Sequence, residues 1–80
     1  MITAEVIFWT TDIKRFHVEL PCAPRIGDLI SFPVGTVKWN DGTDDKETSF
    51  KISEIEWTFD DKSMKLYCRF DKLLIQVERY

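Results

Sequence analysis

Apolar and polar residues alternate with a period of two along most of this chain, and no segment sustains the 3.6-residue stripe of an amphipathic helix. Ile2, Ala4, Val6 and Phe8 share one face, and so do Phe16, Val18 and Leu20 beyond the polar stretch TTDIK. Pairing Ala4 with Leu20, Val6 with Val18 and Phe8 with Phe16 makes a hairpin with one apolar side, but sets Glu5 against Glu19. A slip of two residues would relieve that repulsion. Further on, Ile55, Trp57 and Phe59 alternate inward, as do Met64, Leu66, Cys68 and Phe70. A DDKS turn at 60–63 would pair Phe59 with Met64, Trp57 with Leu66, and Ile55 with Cys68. Phe50 and Ile52 sit on even positions and Ile55 on an odd one, so the apolar phase jumps between them. One extra residue at Ser53-Glu54 reconciles the two phases. It predicts a β-bulge facing Arg69, with Ile52 meeting Phe70 and the strand bent toward closure.

Turn chemistry divides these strands. Pro21 and Pro24 bracket Cys22-Ala23 and end the first hairpin, because neither proline can donate a ladder hydrogen bond. Gly27 can take a positive φ, and the Asp28 carboxylate can accept from nearby backbone N–H groups. Residues 29–32 (LISF) then read as a short strand with Ile30 and Phe32 on one face. Residues 36–39 (TVKW) read as a further short strand. The tail LLIQVERY (73–80) adds a last one, with Leu73, Ile75 and Val77 inward. Five to seven short strands with regular turn signals predict one all-β domain over residues 1–80, a small antiparallel barrel or rolled sheet. With Trp57 and Ile55 in its core, Trp57→Ala or Ile55→Asp is expected to unfold it.

The stretches PRIGDLISF and FKISEIEW together resemble small SH3-like β-barrels of short bacterial and phage proteins. In those, a Pro-x-x-Gly-Asp turn opens one strand and a bent, bulged strand follows. The resemblance covers about residues 21–70. It implies a fold and no activity. The aromatic-acidic stretch of signalling SH3 domains has no counterpart here, so recognition of PxxP peptides is not implied.

Composition narrows the function classes. The chain is 44% apolar, and three Trp, two Tyr and six Phe suit a core built from few, large side chains. No secretory signal or membrane-length apolar run is visible, and Cys22 and Cys68 lack metal-ligand spacing. One disulfide is arithmetically possible. Two reduced thiols in the cytoplasm, with Cys68 on a core face, are the expectation. The net charge of −3 resides in NDGTDDKET (40–48), where Asp41, Asp44, Asp45 and Glu47 oppose Lys46 alone. Such a segment is expected to be a solvated, mobile loop. The remainder is neutral, which disfavours a phosphate-tracking surface.

Catalytic and metal chemistry find little support. His17 is the sole histidine and is expected on the outer face near Arg15, with no second catalytic group anchored beside it. Cys22 follows five residues later, but no third group orients a thiol–histidine pair. DGTDD fails as a calcium loop, since Trp39 and Val37 occupy positions that need oxygen ligands. No cofactor is expected. Ile7 and Trp9 fall opposite the first hairpin's core residues, while Trp39 and Tyr67 are further aromatic candidates. Ile7, Trp9, Arg15, His17, Trp39 and Tyr67 therefore define an expected partner-binding set, because aromatic and Arg side chains anchor interfaces. The reading is a cytoplasmic, non-enzymatic interaction module that binds a protein partner or itself through the aromatic face of the first hairpin. A nucleic-acid-binding SH3-like or OB-like barrel, with bases stacked on those rings, is the alternative. An accessory subunit of an enzyme is a remote one.

Overall fold

The computed structural model describes residues 1–60 and 69–80. Its strands are β1 (Ile2–Ile7), β2 (Phe16–Leu20), β3 (Leu29–Ser31), β4 (Ser49–Asp60) and β5 (Arg69–Arg79). They form one curled sheet in the order β2-β1-β5-β4-β3, and the described residues contain no helix. The rolled all-β architecture is the one the alternation predicts. One pairing departs from a wholly antiparallel sheet, since β1 runs parallel to β5 with Val6 beside Ile75.

The inner face follows from the alternation. Ala4, Val6, Phe8, Phe50, Ile52, Leu73, Ile75 and Val77 are buried there, with Phe16, Val18, Leu20, Ile30 and Ile55 packed around them. Among the described residues the sheet is not closed by hydrogen bonds between its edge strands β2 and β3. Its edge strands are brought together by side chains, with the Phe16 and Phe32 rings 5.0 Å apart edge to face. Phe50 joins both sides of this seam, 5.4 Å from Phe8 and 6.2 Å from Phe32. Offset and T-shaped rings fill a small half-barrel efficiently because each buries a large area and attracts its neighbour's edge.

Electrostatics settles the register of the first hairpin. Ala4 pairs with Val18 and Val6 with Phe16, two residues away from the register that placed Val6 against Val18. Glu5 now faces His17, and Thr3 faces Glu19 and donates its hydroxyl to that carboxylate at 2.8 Å. Both registers bury the same face, so avoiding the Glu5–Glu19 repulsion distinguishes them.

The bulge is present. The β4–β5 register shifts between Ile52 and Glu54, leaving Ser53 as the extra residue, and the Ser53 hydroxyl donates to the Gln76 carbonyl at 3.2 Å. Its partner differs from expectation: Val77 and Gln76 lie opposite, and Ile52 meets Val77 rather than Phe70. The segment 73–79 is not a separate strand. It continues from residue 69 as the same β5, pairing Ile55 with Ile75, Trp57 with Leu73 and Phe59 with Phe70. The formerly expected partners Met64, Leu66 and Cys68, like Tyr67, lie outside the described residues. A second irregularity between Thr58 and Phe59 leaves Asp71 unpaired. There the Thr58 hydroxyl donates to the Lys72 carbonyl at 2.7 Å and accepts from the Lys72 N–H at 3.2 Å. At both breaks a hydroxyl side chain thus satisfies backbone groups at the interrupted ladder.

Two further expectations are corrected. Residues 36–39 form no strand, only the isolated bridges Ile13–Trp39 and Lys38–Asp44. The acidic segment is not wholly solvated either, because Asp45 is buried. Its backbone N–H donates to the Val37 carbonyl at 2.9 Å, and its carboxylate accepts from the Glu47 N–H at 3.1 Å and from Arg79 at 3.5 Å. Buried Ile13, Val37 and Phe32 accompany it, so the segment 32–48 plugs one end of the half-barrel.

Candidate functional site

At the other end, the corner 21–28 behaves as its residue types dictate. Gly27 has φ +95°, and the Asp28 carboxylate accepts the Arg25 N–H at 2.9 Å. The Gly27 N–H donates to the Ile52 carbonyl at 2.8 Å, and the Ile52 N–H donates to the Asp28 carbonyl at 2.9 Å. The corner therefore ends the pairing along this edge of β4 at Ile52. A cleft of about 320 Å³ opens beneath it, lined by Leu20, Cys22, Pro24, Leu29 and Ile52 among others. Cys22 is an exposed, free thiol on this side, whereas His17 points from the opposite face of β2, so the two do not form a pair.

Beyond this corner β4 has no neighbour on its β3 side among the described residues, and past the Trp57–Leu73 pair β5 leaves β1 behind as well. Twelve residues of extended chain reach about 40 Å, nearly the full 45 Å length of the molecule. β3 pairs with β4 only at 49–51, and β1 with β5 only at 73–76. The far part of the hairpin is thus a two-stranded ribbon without flanking strands among the described residues. Trp57 and Phe59 keep the inward parity expected of them, but no strand among the described residues lies over that face. They are 51% and 53% exposed, and Phe70 is 40% exposed. This overturns their expected place in the core. The three rings form one cluster, with Phe70 at 5.4 Å from Trp57 and 6.1 Å from Phe59.

The outer face of the first hairpin has a different character. Glu5 lies among three nitrogen-bearing side chains: Lys72 Nζ at 3.0 Å, His17 Nε2 at 3.8 Å and Arg15 at 3.9 Å. The Lys72 hydrogen bond holds the Glu5 carboxyl below its ordinary range; burial opposes this, and the Lys72, His17 and Arg15 charges add to it. Ile7 sits half-buried at the end of the same row of β1. Trp9, expected beside it, lies elsewhere. β1 ends at Ile7, and the chain then carries the Trp9 ring to the core side, 6.1 Å from Phe50 and under the Arg79 guanidinium at 4.9 Å. Ile7, Arg15 and His17 are thus brought together, and Trp9 is separated from them.

Trp39 belongs to a third region, a depression with Asp12, Asn40 and Asp41 at the plugged end. Its polar groups are engaged in holding the loops. Asn40 donates to the Thr11 carbonyl at 2.8 Å, and Asp41 accepts from the Thr43 hydroxyl and N–H at 2.6 and 2.9 Å. Those bonds lower the Asp41 pKa, the hydroxyl contributing most. No group of three or more metal-ligating side chains occurs among the described residues, and no helix there is long and apolar enough to cross a membrane.

The aromatic ribbon was missed by sequence reasoning because parity records which side a residue faces, not whether anything lies there. The short reach of residues 29–31 beside the long run 49–60 was the available signal. Compared with protein families, curated proteins and solved structures, the chain matches none.

Proposed function

We propose that this chain is a cytoplasmic, non-enzymatic interaction module with an SH3-like rolled sheet, and that the β4–β5 ribbon is its contact surface. The observation that carries the reading is the cluster of Trp57, Phe59 and Phe70. Three large rings, with Phe70 against both Trp57 and Phe59 and all about half exposed, form the apolar, low-entropy anchor that interfaces favour. The first hairpin's outer face is less suited, since the Glu5 carboxylate there already has cationic partners that a new contact would have to desolvate or displace. An exposed thiol at Cys22 suits a reducing compartment.

The ribbon could also stack nucleobases, but its exposed outer residues Glu54 and Glu56 would repel a phosphate backbone. Acidic neighbours favour a protein partner. The test is affinity capture with the full chain, followed by reconstitution of the captured protein with purified wild type and with Trp57→Ser. Binding weakened at least about tenfold by the substitution, with His17→Ala binding as wild type, supports the reading. Equal binding by wild type and Trp57→Ser would overturn it, as would tight, salt-sensitive binding of single-stranded nucleic acid in its place.

A further inference from the structure

We infer that the contact is made by strand addition: an extended partner segment of alternating basic and apolar residues pairs with the free edge of β4 over residues 53–59. This rests on the ribbon being the contact surface and specifies what it takes. Three features of the edge converge. The corner at Gly27-Asp28 uses the outward N–H and C=O of Ile52. Among the described residues, no backbone group pairs with β4 on that side beyond this point. A long unpaired edge is a template for another strand.

The two faces of this edge differ sharply. Ile55, Trp57 and Phe59 point to the inner side, and Glu54 and Glu56 to the outer side, opposite Gln76 and Leu74 of β5. Both glutamates are exposed, and neither has an ion pair among the described residues. A strand laid beside β4 would place alternate side chains on these two faces. Apolar ones would extend the Trp57–Phe70–Phe59 cluster, and Lys or Arg would stand across from Glu54 and Glu56.

The same pattern argues against a second copy of this chain. In the antiparallel self-pairing of greatest overlap, residue 53 meets 59 and Glu56 meets its own copy. Like charges directly opposite are destabilising in a ladder, and each chain carries a net charge of −3. The edge is thus protected against itself while staying open to a strand of opposite charge.

The experiment titrates the isotope-labelled full chain with a capped heptapeptide of alternating lysine and valine, read by amide chemical shifts and Trp fluorescence. Expected are shifts concentrated at residues 53–59, weakening with salt, and loss of binding when alternate residues of the peptide are N-methylated on its pairing edge. Glu54→Lys with Glu56→Lys is expected to weaken the lysine peptide at least about tenfold and to admit a glutamate–valine peptide instead. Binding that needs Trp57 but tolerates N-methylation or charge reversal would overturn strand addition and leave the aromatic contact standing. Binding indifferent to Trp57→Ser, or shifts confined to β1 and β2, would overturn both. Concentration-dependent shifts at 53–59 in the chain alone, with a doubling of mass, would replace the basic partner with a second copy.

Discussion

Phe50 and Trp57 lie on one strand and on the same side of the sheet, yet one is fully buried and the other half exposed. Phe50 contacts rings from both halves of the seam, so Phe50→Ala is expected to cost about 3–5 kcal/mol, measured by denaturant unfolding. Trp57→Ala loses one exposed aromatic contact and is expected to cost about 1 kcal/mol or less. That reverses the expectation drawn from alternation alone. A loss of cooperative unfolding in Trp57→Ala would show that the ribbon carries core stability. Ile55, which does pack against the core, keeps its expected sensitivity to a charge.

Glu5 makes the second argument at this scale. Its carboxyl is held below the ordinary range in the folded chain by Lys72 first and by His17 and Arg15 further. A depressed folded pKa means that the unfolded chain binds the proton more readily. The stabilisation is then complete above the unfolded pKa and is lost as pH falls through the folded one. The denaturation midpoint is expected to fall between neutral pH and about pH 3, and to fall less in Glu5→Gln. Identical pH slopes for the two proteins would contradict the ion cluster.

At the scale of elements, the two bulges do different work. Ser53 resets the phase of β4, so that even positions face the core before it and odd positions after it. Deleting Ser53 would leave Ile52, Glu54 and Ile55 in unbroken alternation opposite Val77, Gln76 and Ile75, so a folded, cooperatively unfolding β species with a straighter β4 is expected by circular dichroism. The Ser53 hydroxyl itself contributes little, because water can replace its 3.2 Å bond to the Gln76 carbonyl. Thr58→Val should weaken the ribbon selectively, since the part-buried Thr58 hydroxyl bonds both backbone groups of Lys72. The first bulge was legible because Phe50, Ile52 and Ile55 disagree in parity. The second was not, because the apolar residues around Asp71 allow several pairings. The slip of the first hairpin was legible only as an alternative, with Glu5 and Glu19 as the clue.

Across the whole molecule, protection is graded by how many strands flank each segment. Residues 73–76 of β5 lie between β1 and β4, whereas Thr58 and Lys72 belong to the unflanked ribbon. Hydrogen exchange is therefore expected to be slowest at Leu73–Gln76 and faster at residues 57–59. Uniform protection along β4 would mean that another layer covers the ribbon. The candidate site follows the same gradient. Its rings are exposed because the hairpin outruns the sheet that supports it, and its edge is free because the Gly27-Asp28 corner stops at Ile52.

Residues 2–7, 16–20, 29–31 and 49–60 declare themselves as strands in the bare chain, together with the inward set of each, the Gly27-Asp28 corner and the extra residue at Ser53. All of these are local consequences of period-two alternation, turn chemistry and parity. Alternation alone, however, overcounts at 36–39 and splits β5. Long-range packing decides that β5 is one long strand parallel to β1, that Asp45 and its loop close one end, and that Trp57, Phe59 and Phe70 stay about half exposed. Parity assigns a side chain to a face; only the packing of distant segments decides whether that face holds protein or water.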